Sequence, residues 1–73
     1  MRVKVAIPLR ELLTLLTYVE EGSHKAAAHR LAIAETTCRQ RVSSVMRRVG
    51  ARNAAQAVYA LHDDLRRLRA EGR

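Results

Sequence analysis

The chain has 73 residues, with 14 Lys and Arg against 7 Asp and Glu, and a formal net charge of +7. A chain this short has room for one domain and buries only a modest fraction of its surface. Two tyrosines are its only aromatic residues, so the core must be built from aliphatic side chains, and no large enclosed ligand pocket is expected. A strong positive charge on so small a domain favours a polyanionic partner.

The candidate chemical groups predict neither an enzyme nor a metal site. The single cysteine, Cys38, excludes an internal disulfide, and His24, His29 and His62 lack metal-site spacing and are expected to be solvated. No nucleophile stands beside a base, and there is no acid dyad or phosphate-binding glycine loop, so we predict a non-enzyme without a cofactor. No apolar run is long enough for a membrane span or a signal peptide, which predicts a cytoplasmic protein with no membrane partner.

The first predicted helix covers residues 8–21 and follows a short extended arm over residues 1–7, where charged and apolar side chains alternate. Pro8 is favourable at the first position of a helix, and Gly22 is typical of the residue that ends one. Apolar side chains recur in this segment at spacings of i, i+3, i+4 and i+7, which predicts a buried stripe. The stripe consists of Leu9, Leu12, Leu13, Leu16 and Val19, with Leu15 beside it.

The second and third predicted helices are separated by only a few residues. Ser23 is a suitable N-cap for a helix over residues 24–31, whose alanines allow a neighbouring helix to approach closely. The third helix is predicted over residues 35–49, between Glu35, whose carboxylate favours the positive end of the helix dipole, and Gly50. Two short helices joined in this way form a helix-turn-helix, which can place its second helix in the major groove of DNA.

The fourth predicted helix covers residues 53–69. Asn53 is its expected N-cap, with the side chain of Gln56 as a reciprocal partner. Apolar side chains then recur at intervals of three and four residues, at Val58, Leu61, Leu65 and Leu68. This seam could cover the core of its own chain or pair with a second copy. For Leu65 and Leu68, pairing with a second copy is favoured. We therefore predict a homodimer interface at these four residues.

The third predicted helix divides into two faces. One face is apolar and is expected to be buried: Cys38, Val42, Val45, Met46 and Val49. On that face Cys38 is expected to act as a small hydrophobe rather than as a redox sensor. The opposite face is polar: Glu35, Thr36, Arg39, Gln40, Ser43 and Arg47. Arg can address guanine, Gln adenine and Ser either base, so the polar face carries the groups needed to read base edges.

From residue 7 to residue 58 the sequence resembles, without a gap, the DNA-binding domain of the LuxR and GerE family. The matching positions are Arg10, Glu11, Ala28, Leu31, Ile33, Thr37, the run 45–50, Arg52, Asn53 and the run 56–58. The resemblance implies an all-α, four-helix domain that binds promoter DNA as a homodimer through its last helix. It also implies that the third helix lies in the major groove.

The residues that would touch DNA follow from the same alignment. By position, the resemblance implies base contacts by Arg39, Gln40 and Ser43, and contacts to the DNA backbone by Thr37 and Arg41. Two further backbone contacts are predicted at Arg47 and Arg48. They belong to a stretch from residue 36 to residue 62 that carries five arginines and no acidic residue.

Four positions depart from the family pattern. Glu21 stands where a glycine of the first helix is usual, and Ala27 stands where a bulky Ile is usual. Ala32 replaces the common turn glycine, and if the backbone there needs a positive φ, alanine costs about 1 kcal/mol. Ala34 replaces the Ser or Thr that usually caps the recognition helix, a loss that typically costs about 1 kcal/mol. These changes predict a divergent member, or one that has lost its DNA role.

The sequence thus predicts a transcription regulator that binds double-stranded DNA sequence-specifically as a homodimer. The alternative is a protein that uses the same fold to bind RNA polymerase or another regulator. An RNA-binding helical module is disfavoured, because aromatic side chains that could stack on bases are scarce.

Overall fold

The computed structural model describes residues 7–62 and Arg66. This part of the chain contains four helices and no strand: α1 (Leu9–Glu21), α2 (His24–Leu31), α3 (Glu35–Val49) and α4 (Ala54–Ala60). The all-α class predicted from the sequence is therefore confirmed. None of the helices described is long and apolar enough to cross a membrane.

The junction between α1 and α2 has the predicted capping residues. Gly22 ends α1 in the left-handed conformation, with φ 87°, and its N–H donates to the carbonyl of Tyr18 at 2.8 Å. Ser23 then caps α2, because its hydroxyl accepts a hydrogen bond from the N–H of Ala26 at 3.1 Å. At the other end of α1, Pro8 lies just before the helix rather than at its first position.

The start of α4 confirms its predicted cap and modifies the reciprocal one. The side-chain oxygen of Asn53 accepts from the N–H of Gln56 at 2.9 Å. The side-chain oxygen of Gln56 accepts from the N–H of Arg52 at 2.8 Å, one residue before the position predicted. The structure describes α4 over Ala54–Ala60, and His62 and Arg66 beyond it are also helical, while the predicted end of the helix at residue 69 lies outside the described residues. Residues 63–65 and 67–73 lie outside the described part of the chain.

The turn between α2 and α3 contains a strained alanine. Ala32 has φ 58° and ψ 44°, and it is the one residue other than glycine with a positive φ among those described. The N–H of Ile33 donates to the carbonyl of Ala28 at 3.0 Å, and the N–H of Ala32 donates to that of His29 at 3.2 Å, which is the Schellman pattern. The condition under which alanine was expected to cost stability here, a positive φ, is therefore met. Ala34 precedes α3 without a side-chain cap, as predicted.

The core lies where α1 contacts each of the other three helices. Its buried apolar side chains are mostly small: Leu15, Ala27, Ala28, Cys38, Val42, Val45, Ala57 and Leu61. Partly buried side chains, among them Met46 and Val49, pack around this cluster. The predicted apolar face of α3 is therefore confirmed, including the burial of Cys38. Small side chains at the centre allow the helices to approach one another closely.

The predicted buried stripe of α1 is wrong for three of its five residues. Leu9, Leu13 and Val19 are exposed, at 57%, 40% and 44% of their full surface. The buried residues of α1 are instead Thr14, Leu15 and Thr17. Threonine can face the core because its hydroxyl can bond within the helix, and that of Thr14 donates to the carbonyl of Arg10 at 2.6 Å. Leucines occupy both sides of α1, so their spacing did not identify the inner side.

Replacing the strained alanine of the turn with glycine should stabilise the protein. A left-handed conformation costs a non-glycine residue about 1 to 2 kcal/mol, and the greater freedom of glycine in the unfolded chain offsets part of the gain. Ala32→Gly should therefore raise the free energy of unfolding by up to about 1 kcal/mol. The matched control Ala26→Gly, inside α2, should lower it by about 1 kcal/mol. Chemical denaturation measures both. Equal destabilisation by the two variants would show that the turn is unstrained.

Candidate nucleic-acid interface

α2 and α3 form a helix-turn-helix arrangement. They are short, they contact each other, and they are joined by residues 32–34 alone. Ala27 and Ala28 of α2 are buried in the cluster that also holds the inner side chains of α3. The side chain of Ile33 packs on the same cluster from within the turn. The orientation of α3 is therefore set by the core, which leaves its opposite face in solvent.

The solvent-facing side of α3, here called the outer face, comprises Glu35, Thr36, Arg39, Gln40, Ser43 and Arg47. All six are exposed, as the sequence predicted. The three predicted base-contact residues, Arg39, Gln40 and Ser43, therefore lie on one side of one helix. Of the predicted backbone contacts, Arg47 lies on the same face, while Thr37 and Arg41 are partly buried at its border. The long hydrogen-bond donors of α3 are therefore exposed along one face of the helix.

Arg39 forms an ion pair within the outer face. Its Nη2 lies 2.8 Å from Oε2 of Glu35, one turn earlier in α3, with both side chains largely exposed to solvent. An exposed pair of this spacing contributes only a few tenths of a kcal/mol to stability. Its main consequence is geometric, because it restrains the guanidinium group of the central predicted base contact.

Arg48, predicted as a contact to the DNA backbone, lies against α1 instead of extending freely into solvent. Its Nε is 3.6 Å from Oε1 of Glu11 and 3.4 Å from the hydroxyl of Ser44. The Ser44 hydroxyl in turn donates to Oε1 of Glu11 at 3.2 Å. The Glu11 side chain is only 16% exposed, so this cluster is better shielded than the other ion pairs described. Arg48 thus connects α3 to α1.

Arg41 and Arg47 differ from these two arginines. No carboxylate within residues 7–62 pairs with either of them. The other basic residue held by carboxylates is Arg30, whose Nη1 lies 2.9 Å from Glu20 and 3.0 Å from Glu21. That contact joins the last residues of α1 to α2, away from α3. On α3, Arg41 and Arg47 therefore carry positive charge that none of the described carboxylates pairs with.

The prediction that all three histidines are solvated is wrong for His24. Its ring stacks on Tyr18 with centroids 4.3 Å apart, and its Nδ1 lies 4.0 Å from the sulfur of Cys38. Burial, and then the positive charge of Arg39, lower the pKa of His24 below its usual value. Burial also raises the pKa of the Cys38 thiol. Both side chains are therefore uncharged at neutral pH and act as packing groups. No third metal-binding side chain joins them in the part of the chain described.

The predicted dimer seam is only partly described. Leu61 is buried at 5% exposure in the core of its own chain, and Val58 is partly buried against the same cluster. These two residues serve the first of the two uses foreseen for the seam, covering the core. The other two predicted interface residues, Leu65 and Leu68, lie outside the described residues.

Comparison of the chain with protein-family models, with curated proteins and with solved structures gives no match. The interpretation of the outer face therefore depends on its own geometry and charge.

Sequence reasoning did not find two of the contacts that α3 makes. The Glu35–Arg39 pair has a readable signal, because an acid followed four residues later by a base is the spacing of a helix ion pair. The contact of Glu11 with Ser44 has no such signal, because the two residues are 33 apart in sequence and meet only when α1 packs on α3.

The Glu11–Arg48 contact should contribute to stability. We expect the Glu11→Gln and Arg48→Met variants to show a coupling free energy of about 0.5 to 1 kcal/mol in a double-mutant cycle. Arg47→Met, which alters an exposed arginine without a carboxylate partner, is the matched control and should show no coupling to Glu11→Gln. Urea denaturation of the variants provides the measurement. A coupling of zero for Arg48 would mean that the cluster does not hold α3 to α1.

Proposed function

We propose that this protein is a transcription regulator that binds double-stranded DNA sequence-specifically and inserts α3 into the major groove. The observation that carries the proposal is the outer face of α3, where Arg39, Gln40 and Ser43 are exposed together on a helix whose other side is buried. Side chains of these types can address guanine, adenine and either base, respectively. The net charge of +7 supplies the general attraction to phosphate that any such protein needs.

We further propose that the domain is of the LuxR type. The resemblance in sequence supports this, together with the order of four helices and the left-handed backbone at Ala32, the position of the family's turn glycine. The missing cap at Ala34 and the alanine at the turn destabilise this region by about 1 kcal/mol each, and neither removes a side chain from the outer face.

A homodimer is part of the proposal. A two-fold dimer would place two copies of α3 on an inverted repeat and double the contact area with DNA. Leu61 is buried in the core of its own chain, so the residues proposed to join two copies are Leu65 and Leu68, together with Val58, which is partly buried at the border of that core.

Changes on the two sides of α3 should have separate effects. Arg39→Ala should keep the wild-type melting temperature, yet lose about 1 to 3 kcal/mol of binding free energy for the preferred duplex and its base preference at one position. Arg47→Ala should weaken all duplexes nearly equally and reduce the salt slope by about one unit. Val42→Ala should destabilise the fold by about 2 kcal/mol, because it removes packing from the core.

Thermal melts and binding curves on duplexes selected from a random pool test these expectations. Undiminished base preference in Arg39→Ala would show that α3 does not read bases. Absence of duplex binding by the wild type at low salt would contradict the proposed function altogether.

A second candidate function is supported by the exposed face of α1. Leu9, Leu13 and Val19 are exposed, and the partly exposed Leu12 and Leu16 lie between them on the same side of the helix. Contiguous apolar surface on a small domain marks an interaction site. Leu12 and Leu16 pack against the edge of the core, while Leu9, Leu13 and Val19 extend into solvent on a different helix from the outer face of α3. It favours the alternative in which the protein binds RNA polymerase or another regulator.

A single charge placed in the predicted dimer seam, or on the exposed face of α1, distinguishes the roles of these two surfaces. Leu65→Glu should convert a dimer to a monomer in light scattering, because a buried carboxylate at a helix pair is strongly unfavourable. Leu13→Glu should leave the dimer and its DNA affinity unchanged, and it should reduce binding to purified RNA polymerase if the second candidate is right. Tyr59→Glu, at an exposed position of α4, is the control. A wild type that is monomeric at tens of micromolar would exclude the dimer.

A further inference from the structure

The ion pair in the outer face carries an inference about how the proposed DNA site is read. Arg39 Nη2 is 2.8 Å from Glu35 Oε2, and both side chains are largely exposed to solvent on the outer face. Glu35 is the first residue of α3, and the N-terminal residues of a recognition helix are those that reach base edges. Glu35 is not among the predicted contact residues, although it touches the central one.

We propose that Glu35 is a specificity-determining residue that acts with Arg39 to read one G·C base pair as a unit. This inference rests on the proposed function. In the major groove a G·C pair presents the N7 and O6 acceptors of guanine and, beside them, the N4 amino donor of cytosine. A guanidinium group has five N–H donors, so Arg39 can donate to guanine and still donate to Glu35 through Nη2. The second oxygen of the carboxylate is an acceptor for the cytosine amino group.

The same carboxylate discriminates against phosphate. An arginine without a counterion binds the DNA backbone of any sequence, because the attraction is a simple charge effect. A carboxylate held 2.8 Å from the guanidinium repels a phosphate that approaches it, whereas the acceptor atoms of guanine carry no net charge. Glu35 therefore lowers the affinity of Arg39 for random DNA more than its affinity for the matching base pair.

Three variants measured on the preferred duplex and on a random duplex test the proposal. Glu35→Gln removes the charge, so random-duplex affinity should rise several-fold and the ratio of specific to random affinity should fall by about tenfold. Glu35→Asp keeps the negative charge, but its shorter side chain does not reach Arg39. The ratio of specific to random affinity should therefore fall, with little rise in affinity for the random duplex. Glu21→Gln removes a charge that pairs with Arg30 instead, and it should leave the ratio unchanged.

The double variant Glu35→Gln/Arg39→Ala shows whether the two residues act together. If they do, its ratio of affinities should equal that of Arg39→Ala alone. Glu35→Gln also removes a carboxylate from the first turn of α3, so its melting temperature should fall by a few degrees, and binding is compared at a temperature where a thermal scan shows every variant folded.

The outcomes separate the two proposals. A wild type without preference for any duplex overturns the proposed function and the inference with it. A selective wild type whose ratio is unchanged in Glu35→Gln overturns the inference alone. A Glu35→Asp variant that keeps the wild-type ratio of affinities also overturns the inference alone. In that case a negative charge at position 35 would be sufficient without contact to Arg39. A preferred duplex with no G·C pair sensitive to both residues overturns it as well.

Discussion

Close contact between helices with small side chains at their centre determines the rest of this structure. Ala27, Ala28 and Ala57 are buried together with Cys38, so the larger Leu15, Val42 and Val45 can fill the remaining space without any aromatic residue. Such packing tolerates little change in volume at any helix crossing. The inner side of α3 is therefore held in one orientation. The exposure of its outer face, on which the proposed function depends, is a consequence of that burial.

The arginines of this protein differ in the carboxylates that they contact and therefore in their roles. Arg30 and Arg48 are held by carboxylates of α1 and connect helices. Arg39 is paired within α3 itself, and Arg47 extends from the same outer face. Net charge alone describes a general attraction to polyanions. The distribution of carboxylate partners separates Arg30 and Arg48, which connect helices, from Arg39 and Arg47, which lie exposed on the outer face of α3.

Local rules are broken in two places, and both flank the surfaces proposed to bind partners. Ala32 adopts a backbone conformation suited to glycine, and Ala34 leaves the start of α3 without a side-chain cap. α1 carries Leu9 and Leu13 in solvent, although buried positions in the same helix are taken by threonines. Such departures reduce the stability of a domain whose core is already small. Departures of this kind tend to occur at functional sites.

The sequence by itself determined the helix class, the helix ends that carry capping residues and the two faces of α3. Caps such as Gly22, Ser23 and Asn53 act through hydrogen bonds to residues a few positions away, so their effect is local and readable. The exposure of Arg39, Gln40 and Ser43 is readable in the same way, because exposure of a polar helix face follows from its periodicity. Only the tertiary structure decided which side of α1 is inner, since its leucines satisfy the helical spacing on either side. It also decided the partner of Arg48, because Glu11 reaches α3 only through the packing of two helices distant in sequence.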